Sequence, residues 1–147
     1  MQKIEFTDLS AAEKELVEAA ILARTKAYAP MSRFLCGAAL RDITGAIHWG
    51  CNIETIDMTL TTHAESDAIN GMLKSGVFQL QTLVCVVKSP AGFALPCGLC
   101  RQKIREFSAN NEARIIGVNL DEHEQIRHVV AATIGELYPH AFTPASL

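Results

Sequence analysis

The sequence predicts an α/β protein with helices layered on a mixed five-stranded sheet, and three observations carry that expectation. Strand-like and helix-like segments alternate through the middle of the chain, which implies right-handed crossovers between strands. Leu83-Val84-Cys85-Val86-Val87 is an unbroken apolar run, the pattern of a strand covered on both faces. Ser10 with Glu13, Thr62 with Glu65 and Thr133 with Glu136 each have the spacing of a capping box, in which side chain and backbone at a helix start satisfy one another.

Taken in order, Ser10 opens an amphipathic helix over residues 10–28, where Leu16, Ala19 or Ala20, Ala23 and Ala27 recur at helical spacing. Pro30 disfavours helix at the residue before it and ends the run. Residues 36–40, small and apolar, suit a buried strand, Thr44-Gly45 signals a turn, and residues 46–52 form the antiparallel partner. No period holds over residues 53–61, which read as a loop. Thr62 starts a second helix whose apolar face, Ala68, Ile69 and Met72, runs as far as Gly76. A strand over Leu80–Val87, a loop with Pro90 and Gly92, and a third helix over residues 97–107 follow. Strands at residues 113–118 and 128–132 and a short helix over residues 133–138 complete the chain. With no internal repeat and no linker, residues 1–147 read as a single domain.

Composition narrows the function. A formal charge of −3 over 147 residues provides no basic footprint for a nucleic acid polymer and favours a small-molecule substrate. No apolar run approaches the roughly 20 residues that span a bilayer, and Met1-Gln2-Lys3-Ile4-Glu5 lacks a signal-peptide core, so no membrane partner and a cytoplasmic location are expected. Of the five cysteines, Cys36, Cys51 and Cys85 lie in apolar strand-like runs, where free thiols behave as small hydrophobes. Cys97 and Cys100, spaced C-x-x-C, point to metal binding.

The chemistry concentrates in Thr62-His63-Ala64-Glu65 and Pro96-Cys97-Gly98-Leu99-Cys100. A catalytic zinc takes three protein ligands and leaves a fourth position to water, and His63, Cys97 and Cys100 have the right number and softness. Two thiolates and a neutral His around Zn²⁺ sum to zero, so such a centre needs no dedicated cation beside it. Both stretches start helices, whose unpaired N–H groups favour thiolates. Glu65 then reads as the general acid and base, with capping as its alternative use. Asp57 or a backbone carbonyl of residues 53–61 is a candidate to orient His63. A structural zinc would need a fourth protein ligand, and a redox role for the two cysteines leaves His63 and Glu65 idle. H-x-E followed by P-C-x-x-C is the signature of zinc-dependent nucleobase deaminases.

The chain resembles the short, homotetrameric cytidine deaminases from about Tyr28 onward. Ala27-Tyr28-Ala29-Pro30, Phe34, Gly37-Ala38-Ala39-Leu40, Gly50-Cys51-Asn52-Ile53-Glu54, His63-Ala64-Glu65, Pro96-Cys97-Gly98-Leu99-Cys100-Arg101-Gln102 and residues 137–144 fall at family positions in family order. The resemblance implies a three-layer α/β/α fold, one Zn²⁺ per chain held by His63, Cys97 and Cys100, catalysis by Glu65, and hydrolytic deamination of free cytidine or deoxycytidine. It further implies that Asn52 and Glu54 hold the sugar hydroxyls, Phe34 lies against the nucleoside, and Ala64 meets the pyrimidine edge. Phe142 then reaches a neighbouring subunit's site in a homotetramer, with a dimer as the alternative. His63 and Ser66 depart together from the usual Cys and the usual Arg after the catalytic Glu, as the charge count demands. Met31, Leu35-Cys36 and Asp57-Met58 depart around the substrate. They define the alternative substrate, a modified cytosine nucleoside or another aminopyrimidine such as a blasticidin-S-like antibiotic. A catalytically silent zinc protein is the reading outside enzymes.

Overall fold

The computed structural model describes residues 1–143 and 146–147; Pro144, at the end of the C-terminal family match, lies outside the described residues. Among those residues the order is β1 (Gln2–Ile4), α1 (Ala11–Arg24), β2 (Cys36–Asp42), β3 (Ile47–Cys51), α2 (Ala64–Lys74), β4 (Leu80–Val87), α3 (Gly98–Glu106), β5 (Arg114–Leu120), β6 (Ile126–Thr133) and α4 (Ile134–Leu137). One mixed sheet runs β1-β6-β5-β4-β2-β3, with β4 and β5 parallel and every other adjacent pair antiparallel. The expected five strands are therefore six. The extra one, β1, is a three-residue edge strand paired to β6 from Gln2 opposite Ala131 to Ile4 opposite Val129. Three residues are too few to display an alternation.

Side-chain alternation along β4 divides the core. Val84 and Val86 face Leu16, Val17 and Ala20 of α1, together with Ile116 and Val118. Leu83, Cys85 and Val87 face the opposite way, toward Ala68, Ile69 and Met72 of α2 and Ile104 of α3. An unbroken apolar strand is what two covered faces require, and the result is the expected α/β/α layering. The connections β3–α2–β4 and β4–α3–β5 move the same way across the sheet, which puts both helices on one face and both helix starts at one edge. Gly50 permits the close approach: a Cβ there would lie 2.5 Å from the Ala64 carbonyl oxygen and against the Ala68 backbone nitrogen.

Two local expectations fail for identifiable reasons. The first helix ends at Arg24, not residue 28, because Tyr28 is drawn into extended pairing. Tyr28 N–H donates to the Asn52 carbonyl (2.9 Å), and its own carbonyl accepts from Glu54 N–H (2.8 Å). Thr25 Oγ1 also donates back to the Leu22 carbonyl (2.7 Å), competing at the helix end. The capping box at Thr62 and Glu65 does not form. Thr62 instead exchanges backbone hydrogen bonds with Ile53 (2.9 and 3.0 Å), and His63 becomes the N-cap without a side-chain cap bond. The boxes at Ser10 with Glu13 and at Thr133 with Glu136 form as read. Among the described residues no helix is long and apolar enough to cross a membrane.

Candidate active site

His63 and Cys97 are the N-caps of α2 and α3, each with extended backbone and each free of the usual cap hydrogen bond. Their side chains therefore point past the helix ends and meet outside the sheet edge. Cys100, in the first turn of α3, turns back toward the same point. His63 Nδ1 lies 3.4 Å from Cys97 Sγ and 3.4 Å from Cys100 Sγ. A tetrahedral zinc with bonds of about 2.3 Å to sulfur and about 2.0–2.1 Å to nitrogen separates those atoms by roughly 3.6 Å, so the donors already stand at ligand spacing. Among the described residues no fourth His, Cys, Asp or Glu joins this cluster, which leaves a coordination position free as a catalytic zinc requires.

Glu65 is 6% exposed and holds Oε2 3.3 Å from Cys100 Sγ. Burial first, and then the negative charge of Glu65 and Cys97, pushes the Cys100 thiol far above its ordinary pKa. A dication at the shared centre reverses that balance, since a coordinated thiol loses its proton outright. The donor set and its charges thus fit zinc.

A cavity of about 490 Å³ opens onto these groups. His63, Ala64, Glu65 and Cys97 line it, Ser32, Phe34, Asn52 and Glu54 form one wall, and Ser89, Phe93, Ala94 and Leu95 form another. Met58, Thr61 and Val87 also line it. Cys36, Cys51 and Cys85 are buried as expected, yet Cys36 and Cys85 also face this cavity. Burial and then the charge of Glu65 raise both of those thiols well above the ordinary range.

Asn52 and Glu54 already hold the Phe34 wall. Glu54 accepts from the N–H groups of Met31 (3.0 Å) and Ser32 (3.2 Å) and from the Ser32 hydroxyl. Asn52 accepts from Cys36 N–H (2.8 Å) and donates to the Phe34 carbonyl (2.8 Å). These bonds, led by that from the Ser32 hydroxyl, keep the Glu54 carboxyl below its usual pKa. A carboxylate offers about four lone-pair sites and an amide two N–H donors, so each side chain keeps capacity for a ligand.

Phe142, 58% exposed, does not line its own chain's cavity. Asp57, considered for orienting His63, accepts from Thr59 N–H and Oγ1 at Oδ1 (3.0 and 2.7 Å). The second wall was not legible as such in the sequence. It depends on β5, where Gly117 leaves room for the Ala94 carbonyl and buried Asn119 grips Ser89 at both N–H and C=O (2.8 Å each). A Gly and an Asn inside an apolar strand are the signal that marks it.

Comparison with known proteins agrees with this geometry. Residues 10–115 match the cytidine and deoxycytidylate deaminase zinc-binding region. The chain is 35% identical over 134 residues to a cytidine deaminase of Sporosarcina psychrophila, covering 91% of this chain and 93% of that one. It is 33% identical to a cytidine deaminase of Vibrio parahaemolyticus, of whose length it spans 44%. Crystal structures of cytidine deaminases from Burkholderia pseudomallei (TM-score 0.79, 32% identity, 91% of this chain and 100% of that one) and Mycobacterium tuberculosis (TM-score 0.69, 30% identity, 90% and 98%) share the fold. With the matching region spanning both helix starts, and with His63, Cys97 and Cys100 positioned to hold zinc, the chain belongs to the cytidine and deoxycytidylate deaminase family.

Proposed function

We propose that this chain, as one domain over residues 1–147, deaminates free cytidine or deoxycytidine by hydrolysis, giving uridine or deoxyuridine and ammonia. The observation that carries the reading is the convergence of His63, Cys97, Cys100 and Glu65 on a cavity whose wall presents Asn52 and Glu54. Zinc, when bound, supplies the Lewis acidity that turns water into a nucleophile near neutral pH. Glu65 accepts one proton from the attacking water and passes it to the pyrimidine ring nitrogen, then accepts the second proton of the same oxygen as it becomes the product carbonyl and delivers it to the departing amine. Ala64, at the start of α2, presents backbone polar groups to the pyrimidine edge. Phe34 packs on the base, and the spare bonding capacity of Asn52 and Glu54 takes the sugar hydroxyls. The exposure of Phe142, together with Ile56 and Leu60 at 96% and 68%, supports a homotetramer in which Phe142 enters a neighbour's cavity. Five free cysteines fit a cytoplasmic setting.

Glu65→Ala is expected to lower kcat about 10,000-fold while leaving one zinc per chain, measured by ammonia release and metal analysis. The reading fails if zinc-loaded protein releases no ammonia from cytidine, deoxycytidine or a modified cytosine nucleoside. Met58, an unbranched and adaptable side chain on the cavity lining, favours a second reading in which a modified cytosine nucleoside or an antibiotic aminopyrimidine is the substrate. Competition assays against cytidine separate the two.

A further inference from the structure

One carboxylate outside the cavity reaches both of its walls. Leu35, between Phe34 and Cys36 on the first wall, offers its carbonyl to Arg24 Nε (3.1 Å) at the end of α1. The same guanidinium donates through Nη1 to Glu124 Oε2 (2.5 Å). The other oxygen of that carboxylate, Oε1, accepts from Lys88 Nζ (3.2 Å), which also donates to the Glu122 carbonyl (3.2 Å). Lys88 adjoins Ser89 on the second wall. A continuous path of contacts therefore runs from the Phe34 wall through Arg24, Glu124 and Lys88 to the Ser89 wall.

Two features separate this bridge from an ordinary surface ion pair, which contributes little. The Arg24 side chain is only 9% exposed, against 53% for Glu124, so the carboxylate partners a guanidinium that has lost most of its water. Without the carboxylate, that buried charge stands unpaired. The second feature is the backbone of Glu124, which lies in the turn between β5 and β6 at a φ of 61°. Glycine takes this left-handed conformation freely and a longer side chain takes it at a cost. Asp121 fixes the turn independently, its Oδ1 accepting from His123 N–H (2.8 Å) and Gln125 N–H (2.9 Å). What the glutamate adds at this position is the reach of its carboxylate to Arg24 and Lys88, an observed outlier with a purpose beyond the turn.

We propose that Glu124 is a positioning residue for the substrate cavity: by joining Arg24 to Lys88 it holds the Phe34 wall and the Ser89 wall at the separation that grips the ligand. The proposal rests on the nucleoside reading of the cavity. The metal donors and Glu65 belong to the starts of α2 and α3 and stand apart from the bridge. A cavity shaped before the ligand arrives improves binding and not the chemical step, so loss of the bridge raises KM and spares kcat.

The test uses zinc-loaded full-length protein, with steady-state kinetics on cytidine and amide hydrogen exchange as readouts. Glu124→Gly removes the carboxylate and relieves the backbone. It is expected to raise KM about 3- to 30-fold with kcat kept within about twofold. Exchange over residues 33–36 and 88–95 is expected to quicken while that over α2 holds. Glu124→Gln, which keeps the shape without the charge, is expected to move both readouts the same way. Lys88→Met alone is expected to raise KM, and to add nothing in the Glu124→Gly background, because each change breaks the same bridge. Wild-type KM and exchange in Glu124→Gly would overturn the proposal, whatever the melting temperature. So would a fall in kcat without a rise in KM, or additive effects of the two changes. Should the wild-type protein not turn over cytidine, the proposed reaction fails, and the exchange comparison still decides whether Glu124 holds the two walls.

Discussion

Glu54 carries two loads at once, since the carboxylate that faces the cavity also accepts three hydrogen bonds from Met31 and Ser32. Glu54→Gln keeps the shape but turns an N–H pair toward donors that need an acceptor, a mismatch worth about 1–3 kcal/mol. The expected outcome is a KM for cytidine raised about tenfold or more with a smaller fall in kcat, measured by steady-state kinetics. Asp42 is the second residue whose charge is built into the fold. Burial alone would raise its pKa, but hydrogen bonds from Thr44, His48 and Ala46 prevail and bring it from 3.8 down to about 2. A carboxyl whose folded pKa is depressed contributes stability above its unfolded value and loses it as the pH falls. Thermal melts are therefore expected to lose this contribution between pH 3.8 and about 2, and Asp42→Asn to flatten that part of the profile. At this scale His63, Glu65, Cys97 and Cys100 were legible because their spacing is itself the chemistry. The tie from Lys103 Nζ on α3 to Ser66 Oγ and Asn70 Oδ1 on α2 (both 2.7 Å) was not, because it depends on how far α2 stands from α3.

Among the elements, the helix starts separate what a local pattern can and cannot say. Ser10 and Thr133 cap their helices, with side chains accepting from Glu13 N–H and Glu136 N–H. Thr62 has the same local pattern but spends its backbone on Ile53, while Glu65 turns into the cavity. Ser10→Ala is accordingly expected to cost about 1 kcal/mol in denaturant unfolding, and Thr62→Ala only a small fraction of that. A capping box is legible where both residues are free to form it; here the site had prior use of one and the chain pairing of the other. Gly50 sets how closely α2 approaches β3. Gly50→Ala forces that helix outward, and a destabilisation of about 1–3 kcal/mol with weakened zinc retention is expected from melting and metal analysis together.

For the whole molecule, the layering followed from the sequence because each face of the sheet left its own trace: the unbroken apolar run in β4 and the apolar stripes of α1 and α2. The edge strand β1 left no such trace, being short and stabilised by a partner more than 120 residues away. The pairing of Tyr28 with Ile53 and of Ile53 with Thr62 has a further consequence. Three distant stretches of backbone are knitted into one patch, with the cavity wall that bears Phe34 attached at one end and the metal donor His63 at the other. Metal occupancy is then transmitted mechanically. Removing zinc frees His63 to fluctuate, and the amides of Ile53, Glu54 and Thr62 are expected to exchange hydrogen faster as a group, so that the nucleoside wall loosens whenever the metal leaves.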